Sequence, residues 1–184
     1  MFAIDLAEDA QLFPLEVWHA EEFLAHIERG REFIGQFIGF PDRTTDLDSA
    51  RQLLRSNAEK SAADGARLYG IRLGGTLVGG VLFPNFDAAA GNCEVGCWME
   101  PAGTGRGLVT KACRVLIDWA FDVRGMHRVE WHVASGNGKS IAVAERLGLT
   151  REGVLRQNHL HRGVRQDTEV WSVLAAEWAA TRTA

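Results

Sequence analysis

The chain has 184 residues, 46% of them hydrophobic and 24% charged, with a formal net charge of −4. This composition suits one globular domain with its own core and excludes a disordered or collagen-like chain. It also argues against a nucleic-acid binder, and no apolar run approaches the roughly 18 residues of a membrane span.

The charge is uneven. Residues 1–66 hold 13 acids and 6 bases, net −7, and residues 67–184 hold 11 acids and 14 bases, net +3. Such a split predicts either ligands of two polarities or ordinary solvated helix faces. The opening MFAIDLAEDAQLF lacks the basic start of a secretory signal, and the odd cysteine count (Cys93, Cys97 and Cys113) suits a reducing cytoplasm better than a disulfide framework.

Residues 10–17 read as a first strand, with 2–6 an optional extra one. Over 19–30 the helical spacing of Phe23, Leu24 and Ile27 predicts a helix stopped by Gly30. Residues 31–40 are apolar and broken by Gly35 and Gly39, a short helix or flexible segment. Thr45 reads as the cap of a helix over 46–63 that carries Leu47, Ala50, Leu53 and Leu54 on one face. Strands 66–73 and 76–83 are joined by Gly74-Gly75, a two-residue hairpin signal. A strand over 93–100 precedes a helix from about Gly107 to Val123, apolar on most sides and therefore buried. Strand 127–134, helix 140–148 and closing strands 149–155 and 167–178 complete the chain, the last turning helical at Ala175. A meander followed by strand–helix–strand–helix–strand predicts an α/β (α+β) domain with one mixed sheet.

Three glycine-bearing loops compete for a phosphate ligand, of which Gly148 in RLGLTREG is better explained as a helix stop. Pro101-Ala-Gly-Thr-Gly-Arg-Gly107 lies between a predicted strand and a predicted helix, where glycines admit close approach of backbone amides to an anion and Arg106 adds a cation. A dinucleotide fingerprint would need glycine at position 108, which is Leu108. The second loop, Gly136-Asn-Gly-Lys-Ser140, ends like a Walker A motif but has Val133 where that motif needs its first glycine. His159 and His161 lack a third ligand in the sequence, so no metal is expected.

The run CEVGCWMEPAGTGRGLVTKACRVLIDWAF resembles the acyl-CoA-binding core of the GNAT superfamily of N-acetyltransferases. RVEWHVASGNGKSIAVAERLGLTREGVLR resembles the RimJ/RimL branch, with Asn137, Ser140, Leu147-Gly148, Glu152 and Gly153 at the motif positions, and RGVRQDTEVWSVLAAEW is similar to that branch's ending. The likeness spans about residues 10–178. The chain departs from the family at Ala102, where the phosphate loop usually opens with Gln or Arg, and at Leu149, usually Phe.

The resemblance implies a GNAT fold, a single domain whose mixed, mostly antiparallel sheet is splayed at the acyl-CoA site, and direct acyl transfer from acyl-CoA, acetyl-CoA being the expected donor. The implied acceptor is a primary amine, at a protein N-terminus or on a small compound. Gly103, Thr104, Gly105, Arg106 and Gly107 would hold the pyrophosphate, and Trp98 and Met99 would flank pantetheine at the strand end, with Asn137 and Ser140 near the sulfur. Lys111 is a weaker phosphate candidate. Ser140 would protonate the leaving thiolate; read without the family it is also a plausible helix N-cap. Glu94, a lone carboxylate in an apolar strand, is the first candidate base; Glu130, His132, His159 and His161 are weaker ones, and pairing with a neighbouring arginine is the structural alternative for Glu94. Trp18, Phe33, Phe37, Trp98 and Trp131 would line the acceptor cleft. The family admits a homodimer. A competing reading is a non-catalytic acyl-CoA-binding module, for which Ala102 is the best argument.

Overall fold

The computed structural model describes residues 3–182. Its strands are β1 (Ile4–Ala7), β2 (Ala10–Pro14), β3 (Arg67–Leu73), β4 (Thr76–Asp87), β5 (Asn92–Met99), β6 (Arg128–Ala134), β7 (Thr150–His161) and β8 (Val164–Leu174). Its helices are α1 (Ala20–Ile34), α2 (Phe40–Arg43), α3 (Leu47–Ala62), α4 (Leu108–Asp118), α5 (Gly138–Arg146) and α6 (Ala175–Thr181). One mixed sheet runs β1-β2-β3-β4-β5-β6-β8-β7, and every neighbouring pair is antiparallel except β5–β6. The expected class, an open mixed sheet flanked by helices, is the observed one. The extra strand is β1, although Phe2 of its expected range lies outside the described residues.

Alternation along β5 divides the apolar side chains between two cores. Cys93, Val95, Cys97 and Met99 join a cluster with Leu116 and Ile117 of α4 and Ala144 of α5. Trp98 points to the opposite face and packs with Phe23 and Ile27 of α1 and Leu54 of α3. Gly74 and Gly75 both take positive φ, 56° and 80°, as the expected hairpin turn requires.

Several boundaries differ from the expectation: β4 runs on to Asp87 and β7 to His161, β8 begins at Val164, and α4 gives way to a π-helical turn at Trp119. Two further differences have a clear cause. Gly30 does not stop α1; it lies buried within it, where an added Cβ would come 2.7 Å from Ile34 Cδ1 and 3.0 Å from Glu100 Cβ. The helix passes so close to the end of β5 that any side chain here would displace Ile34 and press on Glu100, and this packing outweighs a helix-propensity cost of about 1 kcal/mol. Asp46 rather than Thr45 caps α3: its Oδ1 accepts from Ser49 N at 2.8 Å, while Ser49 Oγ accepts from Asp46 N at 3.0 Å. This reciprocal pair satisfies two backbone donors that Thr45 would leave open.

Part of the charge split is taken up by ion pairs between the two stretches of chain. Asp9 pairs with Arg106 (3.0 Å), Glu22 with Arg72 (2.5 Å), Asp42 with Arg162 (2.5 Å) and Asp64 with Arg124 (2.6 Å), so the acidic first third is tied to the basic remainder. Each exposed pair adds at most about 1 kcal/mol.

Helix α1 is keyed to β5 by a buried polar cluster. His26 is 0% exposed, and its Nε2 accepts from Trp98 Nε1 at 2.9 Å. Indole can only donate, so the ring hydrogen of neutral His26 sits on Nδ1. Glu100, 3.4 Å from that Nδ1, is engaged by Arg29, which also donates to Leu77 O at 2.7 Å. Burial, then the Arg29 charge, hold the His26 pKa down to about 4. An unfolded histidine titrates near 6.5, so below that pH the unfolded chain takes up the proton first. Stability is therefore undiminished above about pH 6.5 and falls as pH drops towards 4, by up to about 3 kcal/mol. Thermal melts across that window should show this slope, and His26→Gln should flatten it; an unchanged slope in the variant would remove His26 as its source.

Candidate active site

The two central strands part. β5 and β6 pair in parallel only through Asn92–Arg128, Cys93–Val129 and Glu94–Glu130, although β5 continues to Met99 and β6 to Ala134. A cavity of about 940 Å³ opens at their separated ends. The end of β5 (Cys97, Trp98, Met99), the loop after it, the first turns of α4 and α5, and Phe33 and Phe37 at the end of α1 form its wall.

The loop's shape follows from its glycines. Gly105 and Gly107 take positive φ, 79° and 71°, a conformation costly for other residues. At Gly103 a Cβ would lie 2.1 Å from Met99 Sδ. Thr104 Oγ1 donates to Pro101 O at 2.8 Å and ties the loop to itself. Gly107 is the N-cap of α4, and no side chain caps that helix, so its first backbone N–H groups are left for another acceptor. α5 begins at the same cavity. Among the described residues, the charged side chains in the wall are Lys139 and Arg146, both cationic, and no carboxylate lines it. The uncapped N-terminus of α4, with Arg146 Nε 3.4 Å from Thr110 Oγ1 in its first turn, makes this end of the cavity a site for anions.

The other end carries the hydroxyl. Asn137 caps α5: its Oδ1 accepts from Ser140 N at 3.2 Å. Ser140 is therefore not the cap, and its Oγ accepts instead from Trp131 Nε1 at 3.2 Å. Ser140 and Asn137 both border the cavity. Lys139 Nζ lies 4.3 Å from the Phe33 ring centroid, a contact that spans from α5 to α1.

Glu94 stands where β5 and β6 begin to separate, outside the cavity wall. The neighbouring arginine does not take it: Arg128 bonds Glu130 at 2.8 Å and Glu152 at 2.6 Å. Glu94 Oε2 is instead 3.8 Å from His132 Nδ1, and His132 Nε2 is 3.1 Å from Glu130 Oε2. Burial raises the Glu94 pKa above the usual carboxylate value; His132 draws it down and Glu130 pushes it up.

Several expected positions fall elsewhere. Arg106 is not in the wall; its guanidinium bonds Asp9, a partner on the β1–β2 turn that loop chemistry alone does not reveal. Lys111 Nζ donates to Leu6 O at 3.0 Å, so it ties α4 to β1. Trp18 is 77% exposed and lies outside the cavity, its ring 5.6 Å from that of His19. Trp131 is buried and reaches the site only through Ser140. His161 Nε2 is 2.8 Å from Gly35 O and holds the β7–β8 hairpin to the end of α1; Arg162–Asp42 adds a second tie. Cys113 is fully buried, which pushes its thiol well above the ordinary value. Lys139 and Arg146 were not anticipated, yet Lys139, Ala142, Val143 and Arg146 stand at i, i+3, i+4 and i+7, a spacing that puts them on one face of α5.

The geometry agrees with three comparisons. The family model described as the acetyltransferase (GNAT) domain matches residues 10–150. A relative from Bacillus subtilis (strain 168), named "Putative ribosomal N-acetyltransferase YdaF", is 31% identical over 182 residues, 97% of this chain and 98% of the relative. A crystal structure of a probable acetyltransferase is 29% identical with a TM-score of 0.86, covering 97% of this chain and 99% of that one. The fold is also shared with MccE, a microcin C7 self-immunity acetyltransferase in complex with acetyl-CoA and AMP (TM-score 0.88, 24% identity, 93% and 95% coverage). The chain belongs to the GNAT acetyltransferases, on their RimJ/RimL-like branch.

Proposed function

We propose that this N-acetyltransferase moves the acetyl group of acetyl-CoA directly onto the α-amine of a protein N-terminus, with ribosomal proteins as the acceptor class. One observation carries the reading: the sheet parts beside a glycine loop whose helix N-terminus is uncapped, so a diphosphate and a thioester can be held in one cavity. The name of the YdaF relative supports the acceptor class.

In this reading the amides of Gly103–Gly107 and the first turn of α4 bind the pyrophosphate, and Lys139 and Arg146 supply positive charge. This grip is mostly main-chain, so Ala102, which lies outside the wall, removes little from it. A main-chain N–H near Trp98 or Met99 donates to the thioester oxygen as negative charge develops there. The amine nitrogen attacks the carbonyl carbon, the C–S bond breaks, and the electron pair leaves on sulfur. Ser140 donates its hydroxyl hydrogen to that sulfur. Glu94, set back from the wall, receives the amine proton through water, and solvent restores the Ser140 hydrogen. Phe33 and Phe37 border the acceptor's approach. The three free cysteines support a reducing compartment, the cytoplasm, as the place of reaction. The family resemblance adds a homodimer, which a sedimentation mass of one chain would remove.

The test is release of CoA from acetyl-CoA in the presence of peptides carrying ribosomal-protein N-termini, beside polyamines and free amino compounds, with product mass measured. Acetylated N-terminal peptides are expected. Turnover confined to small amines would overturn the acceptor, better use of succinyl-CoA would overturn the donor, and tight CoA binding with no turnover on any amine would make the protein a binding module.

A further inference from the structure

We infer that Trp131 is a positioning residue whose indole N–H fixes the Ser140 hydroxyl as a hydrogen donor towards the departing sulfur. The inference rests on the reading of Ser140 as that donor. Trp131 is 2% exposed and projects from β6 into the core beneath α5, so it is buried away from any acceptor. Its indole Nε1 lies 3.2 Å from Ser140 Oγ. An indole N–H has no acceptor capacity, so the serine oxygen must accept in this bond. Asn137 Oδ1 meanwhile takes the backbone N–H of Ser140, which fixes the first turn of α5 and frees the side chain from capping.

The consequence is directional. One lone pair of Oγ is taken by the indole, and the hydroxyl hydrogen donates to no protein acceptor among the described residues, while Ser140 borders the cavity. A free serine hydroxyl rotates among several orientations and both donates and accepts. Here the indole bond takes one of the oxygen's two lone pairs and restricts rotation about Cβ–Oγ, so the hydroxyl hydrogen and the second lone pair are what Ser140 presents to the cavity, and a departing thiolate takes the hydrogen. The same bond polarises the O–H, since accepting a hydrogen bond strengthens a hydroxyl as a donor. In the step concerned, the C–S bond breaks, its pair goes to sulfur, and the Ser140 hydrogen bonds or transfers to that sulfur. Trp131 itself exchanges no proton.

The experiment uses the full chain with CoA and acetyl-CoA as probes, comparing wild type, Trp131→Phe, Ser140→Ala and the double variant. The first readout is titration of the bound CoA thiol by its ultraviolet thiolate absorbance, which needs no acceptor. A correctly aimed donor stabilises the thiolate and lowers its pKa, so both single variants should raise it and the double variant should match Ser140→Ala. The second readout is turnover with the best acceptor of the panel above. Trp131→Phe should lower kcat by about tenfold, the scale of a weakened proton donor, with the KM for acetyl-CoA unchanged and no further loss in the Ser140→Ala background. If Trp131→Phe fails to fold, benzothienylalanine at position 131 keeps the ring and replaces N–H by sulfur, and the same results are expected. A silent Trp131→Phe beside an impaired Ser140→Ala, or a Trp131→Phe effect that persists in full without the serine, overturns the positioning role alone. A silent Ser140→Ala in both readouts removes the donor reading, and the positioning role with it.

Discussion

Glu94→Gln is expected to lower turnover about 100- to 10,000-fold while leaving acetyl-CoA binding intact, the range for loss of a positioned general base. The substitution keeps size and polarity and removes only the ability to take a proton. Glu94 suits the task because the strong cation nearby is committed elsewhere: Arg128 is held by Glu130 and Glu152, and Glu94 is left with His132 at 3.8 Å. A carboxylate locked to arginine would be a weak base, whereas burial raises the Glu94 pKa and so increases its basicity. The sign of the pH dependence follows. The base must be ionised, so kcat/KM should rise with pH through a limb above the ordinary carboxylate value, and Glu94→Gln should abolish that limb. An acceptor α-amine of pKa near 8 adds a second rising limb that the variant retains. Rate–pH profiles of the two proteins separate the limbs. Full turnover with an unaltered profile in Glu94→Gln would move the base to Glu130 or His132, the other groups of that chain.

Ser140→Ala carries the second large effect, a turnover loss of about 10- to 1,000-fold. The leaving thiolate then departs without a hydrogen. The substitution also orphans the buried Trp131 N–H, at a cost of about 1–3 kcal/mol, so the variant should melt lower than wild type. Activity must therefore be measured per folded molecule, well below the melting transition. The backbone of α5 should survive, because Asn137 Oδ1 caps Ser140 N irrespective of the side chain at 140. Unchanged turnover, with the chemical step shown to limit the rate, would take Ser140 out of the mechanism.

Much of this architecture is legible locally. Gly74-Gly75 between two largely apolar strand-like runs forms the hairpin because a tight turn with two positive φ angles depends on four consecutive residues and little else. Asn137 and Ser140, three apart at a helix start, meet for the same reason. The parting of β5 from β6 is of another kind. Gly96 permits a local irregularity in β5, opposite the register shift of β4 between Leu82 and Asn85, but periodicity within either strand does not mark where pairing with β6 stops, and the parting itself is what the family resemblance implied.

What the amino-acid order by itself determined was the succession of elements, the glycine turn ahead of α4, and the neighbourhood of Asn137 and Ser140. These rest on contacts within a turn or two of the chain, whose geometry residue type nearly dictates. The tertiary structure decided the rest: Gly30 inside a helix because the end of β5 crowds it, Arg106 turned to Asp9, Trp18 left in solvent, Glu94 without an arginine, and Trp131 beneath the serine. Most of these outcomes hang on partners tens of residues away, and which of several charged or aromatic candidates meet is settled only when the sheet and its helices are packed.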